Sequence, residues 1–211
     1  MTARVFDLVV VGTSWGGLHA LTILVSSLPA AFALPLVVVQ HRGRQGDSLL
    51  ASLLQDHTGL RVAEAEDKEP LAPGHVHLAP PDYHLLVELG YCSLTTDPAV
   101  RYSRPSIDVT FESAADTYGK GVIGIVLTGA NDDGSAGLRR IADRGGLAIV
   151  QDPATATSAI MPEAARRAVP SARVLALEEI PAFLVALAPS SSASQPPASR
   201  RSVASRPEPR R

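Results

Sequence analysis

A hydrophobic run near the start of the chain ends in Gly12-Thr13-Ser14-Trp15-Gly16-Gly17, and an apolar segment with helical spacing follows directly. A turn of this kind between a strand and a helix could bind a phosphate or carry a nucleophilic serine. A dinucleotide-binding motif requires glycine in place of Ser14 and an acidic residue near the end of the second strand, where this chain has Gln40-His41. The Gly-Lys-Ser/Thr of a P-loop does not follow either. Nucleotide binding is therefore disfavoured.

Ser14 fits the nucleophile motif G-x-S-x-G, which spans residues 12–16. In that motif small residues flank a serine on a tight strand-to-helix turn, with its hydroxyl near the positive end of the helix. A serine at a helix start also often serves only as an N-cap, and the motif alone does not separate the two roles. A nucleophilic serine needs a general base and an orienting acid, so the positions of those two groups decide between the roles.

Candidates for the base and the acid follow other predicted strands. His41 follows the strand VVVQ directly, and Asp132 and Asp133 follow GVIGIVL through a short turn. Open α/β sheets place their sites at the carboxyl ends of strands, where these stretches could converge beside Ser14. The chain order Ser, His, Asp disfavours an α/β-hydrolase, which needs a histidine late in the chain. The remaining histidines lie on predicted hairpin strands or helices, where other roles are expected: His75, His77, His84, His19 and His57.

The elements that must position these residues alternate between Val-rich strands and helices. Short, continuous apolar strands separated by helices are typical of a parallel sheet covered on both faces. Between residues 74 and 95, three segments alternate polar and apolar residues, which indicates an antiparallel hairpin or meander. We therefore predict an α/β fold, a doubly wound, mostly parallel sheet with a small antiparallel hairpin addition. The predicted strands lie at 5–11, 35–40, 61–64, 121–127, 147–151 and 173–177, and the predicted helices at about 15–28, 47–57, 106–118 and 134–144, from Pro162, and at 178–187.

Composition and charge narrow the class of protein. Among 211 residues, 19 basic and 21 acidic side chains give a net charge of −2, which argues against a nucleic-acid-binding surface. The single cysteine, Cys92, cannot form an internal disulfide and is most simply a core or strand residue. The sequence has no apolar run of 18 residues and no signal-peptide pattern, so we predict a cytoplasmic protein without membrane insertion.

One domain is predicted over residues 1–188, because the composition changes sharply after it. Residues 189–211 contain seven Ser, five Pro and five Arg. Such a segment cannot bury enough apolar surface to order itself, so we predict a disordered tail.

Six ordered blocks of the chain carry a family resemblance: VVVGTSWGGLHAL, VVVQH, GHVHLAPPDYHLLV, RPSIDVTFESAA, GVIGIVLTGANDDGSAGL and GGLAIVQDPATATSAIMPEAA. Over about residues 5–188, the chain resembles the catalytic domain of the chemotaxis protein-glutamate methylesterases, the CheB family. The resemblance implies hydrolysis of γ-glutamyl methyl esters on methyl-accepting chemoreceptors, and deamidation of certain receptor glutamines, with no cofactor or metal. By the same resemblance the nucleophile is Ser14, the base is His41 and the acid is Asp133, the residue directly before Gly134.

The chain departs from the family pattern near the predicted site. Trp15 follows the nucleophile where the family usually has a small residue or threonine, and its indole would either narrow the mouth of the site or pack on a neighbouring loop. Ala130 and Asn131 stand where the family usually has Met and Gly, and Asn tolerates the positive φ of such a turn. The candidates for contacts with the substrate or the oxyanion are therefore Trp15, Gly16, Ala130 and Asn131.

Regulation is a further point of departure. Well-known members of the family carry an N-terminal receiver domain that covers the active site until it is phosphorylated. This chain starts at the first strand of the catalytic domain, so we expect a form without that domain, controlled by a separate response-regulator protein or constitutively open. The competing hypothesis is a binding module that docks to receptors or signalling proteins without hydrolysis, which Trp15 and Ala130 motivate.

Overall fold

Seven strands form one parallel sheet at the centre of the structure, and two more form an antiparallel hairpin. The computed structural model describes residues 5–42 and 49–188. In chain order the strands are β1 (Leu8–Thr13), β2 (Leu36–Gln40), β3 (Arg61–Glu64), β4 (His75–Leu78), β5 (His84–Glu88), β6 (Tyr91–Thr95), β7 (Val122–Val126), β8 (Leu147–Gln151) and β9 (Arg173–Leu175). The helices are α1 (Gly17–Ser26), α2 (Leu49–Gln55), α3 (Ile107–Tyr118), α4 (Ser135–Asp143), α5 (Ile160–Ala168) and α6 (Glu179–Leu187).

β1 lies inside the sheet, whose strand order is β3-β4-β2-β1-β7-β8-β9. Val9 on β1 pairs in parallel with Leu36 on β2 and with Ile123 on β7. The strands β2, β3 and β4 therefore lie on one side of β1, and the chain then returns to place β7, β8 and β9 on the other side. The loops after β1, β2 and β7 meet at this reversal, which is where ligands bind in open α/β sheets. The predicted doubly wound α/β class is confirmed.

Helices cover both faces of the parallel sheet. One apolar core joins the sheet to α1, α2 and α6, with Leu24 and Ile180 fully buried. The other joins it to α3, α4 and α5, with Phe111 and Met161 fully buried. Burial of one such side chain contributes roughly 1.5–3 kcal/mol, so the two cores hold the strand ends in fixed positions.

The antiparallel addition predicted over residues 74–95 is correct for only part of that range. β5 and β6 form a two-stranded hairpin, whereas β4 pairs in parallel with both β2 and β3. The polar-apolar alternation of β4 arises because Val76 faces one apolar core while His77 faces away from it and lies against Glu69. His77 is only 2% exposed, so a buried polar residue produced the pattern of a half-exposed strand.

The remaining boundaries agree closely with the sequence pattern. Helix α5 begins at Ile160, two residues before the predicted start at Pro162. Proline is tolerated in the first turn of a helix because the N–H groups there have no intrahelical partner. Within residues 5–42 and 49–188, no helix is long and apolar enough to cross a membrane. The tail predicted at residues 189–211 lies outside the described residues.

Helices α3 and α4 approach each other closely at Gly137. A Cβ atom at this position would lie 2.5 Å from Phe111 Cβ and 3.0 Å from the carbonyl oxygen of Asp108. Side-chain atoms in a close-packed interior do not approach backbone and side chains this closely, so only glycine fits. The contact sets the distance between the N-terminal ends of the two helices.

Gly137→Ala should destabilise the protein by about 1–3 kcal/mol, because the added methyl group overpacks this contact and outweighs the better helix propensity of alanine. The free energy of unfolding in urea tests this expectation. The control is Ala136→Ser, at an exposed neighbouring position on the same helix, which should change stability by less than about 0.5 kcal/mol. Equal stability of Gly137→Ala and the wild type would show that the two helices can move apart.

Candidate active site

The three residues predicted as nucleophile, base and acid lie at the ends of three adjacent strands. Ser14 follows β1, His41 follows β2, and Asp133 lies in the loop after β7. Backbone hydrogen bonds join these ends, because Ser14 N–H donates to Thr128 O at 3.0 Å and His41 N–H donates to Thr13 O at 3.1 Å. The structure therefore brings all three residues to one edge of the sheet.

His41 and Asp133 are in direct contact. His41 Nε2 lies 2.7 Å from Asp133 Oδ2, a length typical of a charge-assisted hydrogen bond. Asp133 is fully buried, whereas Asp132 is exposed and pairs with Arg101 at 2.5 Å. Of the two neighbouring acids, it is Asp133 that contacts the histidine.

The carboxylate of Asp133 also binds the N-terminus of α3. Its Oδ2 accepts a hydrogen bond from Ile107 N–H at 2.7 Å, and its Oδ1 accepts from Asp108 N–H and Ser106 Oγ, both at 3.0 Å. Burial opposes ionisation of Asp133, but the hydrogen bonds from His41 and from the helix outweigh it and hold the pKa of Asp133 below its ordinary value. Asp133 is therefore an anion at neutral pH.

Asp108 binds the loop that carries Asp133. Its Oδ1 accepts hydrogen bonds from Gly134 N–H at 2.9 Å and from Gly137 N–H at 2.8 Å, at the start of α4. Burial raises the pKa of Asp108 to about 6, and the neighbouring charge of Asp133 acts in the same direction. The sequence did not identify Asp108 or Ser106 as site residues. The sequence feature that could have pointed to them is their position at the predicted start of a helix, in the block RPSIDVTFESAA.

Hydrogen bonds and a glycine shape the turn that carries Ser14. Gly16 has φ of 81°, in the left-handed region that favours glycine. Gly17 N–H and Gln40 Nε2 both donate to Ser14 O at 2.9 Å. The N-cap of α1 is Gly16, and no side chain caps this helix. The alternative that Ser14 is only an N-cap is therefore wrong.

Thr128 fastens the same turn to two further segments. Its Oγ1 donates to Trp15 O at 2.9 Å, and its N–H donates to Gln151 Oε1 at 2.8 Å. Ser158 N–H donates to Thr128 Oγ1, also at 2.9 Å. Thr128 thus connects the turn after β1 with the end of β8 and with the segment before α5.

Trp15 and Gly16, which were predicted to contact the substrate or the oxyanion, both lie beside Ser14. Both line a cleft of about 720 Å³ together with Ser14 and His41, and their backbone N–H groups have no acceptor among the described residues. Unpaired N–H groups beside a nucleophile are what an oxyanion hole requires. Trp15 is 69% exposed, so its indole lies on the open side of the cleft and is not packed under a neighbouring loop. The apolar side chains that line the rest of the cleft are Leu18, Leu50 and Leu53.

Of the other two candidates for contacts with the substrate or the oxyanion, Asn131 lies near His41 and Ala130 lies outside the cleft. Asn131 lies beside the imidazole, with its Nδ2 3.5 Å from His41 Nδ1. Ala130 is exposed and does not line the cleft. Asn131 does not adopt the positive φ that was considered for it from the sequence. The residue with positive φ in this loop is Gly134, at 94°.

The contact with Asp133 determines which nitrogen of His41 can act as a base. In a neutral imidazole whose Nε2–H donates to this carboxylate, the free lone pair lies on Nδ1. Among the described residues, no hydrogen bond joins Ser14 Oγ to this ring. Catalytic hydrogen bonds are often long without substrate and tighten in the complex. The arrangement can thus perform nucleophilic attack by Ser14 with Nδ1 as the general base.

One cluster in the described part of the chain has the donor chemistry of a metal site, namely Glu69, His77 and Cys92. Burial raises the pKa of Cys92 to about 11 and lowers the pKa of His77. The thiol and the imidazole are therefore both uncharged at neutral pH. None of these three residues lines the cleft that contains Ser14, so the cluster takes no part in the candidate active site.

Known methylesterases resemble this chain along most of its length. The sequence matches the family model described as CheB methylesterase over residues 9–184. It is 43% identical over 183 residues to a protein-glutamate methylesterase/protein-glutamine glutaminase of Leptospira interrogans, covering 86% of this chain and 95% of that protein. It is 39% identical over 181 residues to the protein-glutamate methylesterase FrzG of Myxococcus xanthus, covering 85% of this chain and about half of that protein, 54%. The solved catalytic domain of the Thermotoga maritima CheB methylesterase is 34% identical, with a TM-score of 0.83, covering 86% of this chain and 98% of that domain.

Asp133→Asn should lower the free energy of unfolding at pH 7 by about 1–3 kcal/mol. The amide NH₂ of asparagine would face a group that donates a hydrogen bond to the carboxylate in the wild type, so that hydrogen bond would be lost. The pKa of Asp133 is lower in the folded protein than in the unfolded chain. Its stabilising contribution is therefore fully present above the unfolded value of about 4 and is lost as the pH falls through the folded value.

Urea unfolding of the wild type and Asp133→Asn between pH 7 and pH 3 measures this contribution, and the difference between them should shrink as the pH falls. The control is Asp143→Asn, whose side chain is 59% exposed in an ion pair with Arg139. It should change stability by less than about 1 kcal/mol. A difference for Asp133→Asn that stays constant with pH would contradict the lowered pKa.

Proposed function

Because this chain belongs to the CheB methylesterase family, we propose that it is a serine hydrolase that removes methyl esters from glutamate side chains of methyl-accepting chemoreceptors. The name of the Leptospira relative includes protein-glutamine glutaminase, and we propose deamidation of receptor glutamines as the companion activity of this chain. The observation that carries the proposal is the hydrogen bond of 2.7 Å between His41 and the buried Asp133, at the strand end next to the turn of Ser14.

In the proposed reaction, Ser14 Oγ attacks the ester carbonyl while His41 Nδ1 takes the serine proton. Asp133 holds Nε2 and stabilises the imidazolium ion that forms. The tetrahedral intermediate collapses, and methanol leaves with the proton from His41, so that a glutamyl-serine ester remains. A water molecule then attacks this ester while His41 Nδ1 takes one of its protons. The C–Oγ bond breaks, His41 returns the proton to Ser14 Oγ, and the free glutamate leaves.

The backbone supplies the proposed oxyanion hole. The unpaired N–H of Trp15 lies directly after the nucleophile, the position from which serine hydrolases of this motif donate to the oxyanion. The unpaired N–H of Gly16, one residue further on, is the proposed second donor. One such donor typically lowers the activation barrier by about 3–4 kcal/mol. Only glycine suits position 16, for two reasons. Its φ is positive, and a side chain there would collide with Thr157.

The apolar lining of the cleft fits an ester better than its product. A methyl ester is neutral and loses little when it leaves water, whereas a carboxylate in an apolar environment is strongly disfavoured. Leu18, Leu50 and Leu53 face the cleft. Arg42 also lines the cleft, but its charge is paired with Glu64 at 2.9 Å, so the cleft as a whole suits the uncharged ester.

We also assign the catalytic domain to residues 1–188 and the tail to residues 189–211. The family match over residues 9–184 supports the extent of the domain.

A binding module without hydrolysis is the competing function. Such a module would need only an exposed docking surface. The contact of His41 with Asp133 at the strand end beside Ser14, together with the names of the relatives, favours the enzyme.

Ser14→Ala should reduce methanol release from methylated receptor by on the order of 10³-fold or more, and His41→Gln should be almost as damaging, because the members of a triad act as a unit. The control is Ser26→Ala, at the exposed end of α1, where the hydroxyl donates only to Ile23 O. This variant should release methanol at the wild-type rate. A rate that survives Ser14→Ala would refute the proposed nucleophile.

A serine-reactive phosphonate should label Ser14 in the native protein, because only an activated hydroxyl reacts at a useful rate. Mass spectrometry of the peptide that contains Ser14 detects the adduct. His41→Gln and heat-unfolded wild type should remain unlabelled. A native protein that binds methylated receptor but takes up no label would instead be a binding module.

A further inference from the structure

Two aspartates bind the N-termini of each other's helices. Asp133, which lies just before α4, accepts hydrogen bonds from the first N–H groups of α3. Asp108, in the first turn of α3, accepts hydrogen bonds from Gly134 and Gly137 at the start of α4. We call this reciprocal arrangement of Asp108 and Asp133 the aspartate exchange.

The exchange fixes Asp133 at both its side chain and its backbone. Its carboxylate is held by Ser106, Ile107 and the N–H of Asp108. The peptide directly after it is held because Gly134 N–H donates to Asp108 at 2.9 Å. Hydrogen bonds weaken steeply when their angle departs from linearity, so the 2.7 Å contact with His41 requires both ends to stay in place.

Asp108 itself touches no reacting group. It does not line the cleft, and its Oδ1 is occupied by the two N–H groups of the α4 terminus. The charged groups around it are Asp133 and Arg101, whose Nε lies 3.8 Å from Asp108 Oδ2, and Asp132, which pairs with Arg101. Any effect of Asp108 on the reaction must therefore pass through Asp133.

We propose that Asp108 is a positioning residue for the hydrolysis, which sets the orientation in which Asp133 binds His41 by holding the backbone at Gly134. The proposal rests on the proposed function. It adds Asp108 to the residues that serve the reaction, although Asp108 does not line the substrate cleft.

Kinetics of three variants test the proposal. Asp108→Ala removes the acceptor and should lower kcat for methanol release about tenfold to a hundredfold, with KM within about twofold of the wild type, because the misplacement affects chemistry and not binding. Asp108→Asn keeps an oxygen that can accept both N–H groups, and it should restore kcat to within about threefold of the wild type. Ala114→Gly, at a buried position of α3 outside the exchange, controls for a simple loss of helix stability, and it should leave kcat within about twofold of the wild type.

The proton on His41 Nε2 gives a second measurement that does not depend on turnover. In nitrogen-15-labelled protein, this proton should resonate far downfield in the wild type and in Asp108→Asn, because it is hydrogen-bonded to a carboxylate. Asp108→Ala should shift it upfield or lose it through exchange with water. If Asp108→Ala does not fold, Asp108→Ser replaces it, because the shorter hydroxyl cannot reach both N–H groups and the same losses are expected.

Each outcome decides between defined alternatives. The proposal is overturned if Asp108→Ala keeps the downfield proton, if it loses no more kcat than Ala114→Gly, or if Asp108→Asn is as slow as Asp108→Ala, since charge and not geometry would then matter. A wild-type protein that shows the downfield proton but releases no methanol would refute the proposed function. In that case the proton in Asp108→Ala and Asp108→Asn still decides whether Asp108 positions Asp133.

Discussion

A buried carboxylate that must stay ionised is the constraint on which the rest of this structure depends. Asp133 is fully buried, and without partners it would become protonated there. The fold supplies donors from three directions: the first N–H groups of α3, the hydroxyl of Ser106 and the ring of His41. The approach of α3 to α4, made possible by Gly137, and the orientation of the imidazole both follow from the need to satisfy this one charge.

The strand order explains why the chemistry lies where it does. Ser14, His41 and Asp133 follow β1, β2 and β7, which are neighbours in the sheet although far apart in the chain. The hydrogen-bond ladder of a parallel sheet fixes the spacing of its strand ends, so three short loops suffice to assemble a site. The two apolar cores then make that spacing rigid. The same edge also carries the cleft, so nucleophile, base and substrate share one surface.

The sequence was enough to predict that three residues lie together, but not which residues support them. Ser14, His41 and Asp133 could be expected at one edge of the sheet because each follows a strand that is visible as a local apolar run. The hydrogen bonds of Asp108 to the start of α4 join residues 26 and 29 positions apart, and contacts between two helix termini leave no periodic pattern. The error at β4 has a related cause, because alternation shows which residues face different ways and not whether a second layer covers one face.

Thr128 restricts the movement of the turn that carries Ser14. Because this residue joins the turn to the end of β8 and to the segment before α5, the turn has no independent way to open. The residues of the turn are exposed or half-buried, so these hydrogen bonds, rather than burial, hold Ser14 in place. A molecule that covered the cleft would block access to Ser14 without breaking any of them.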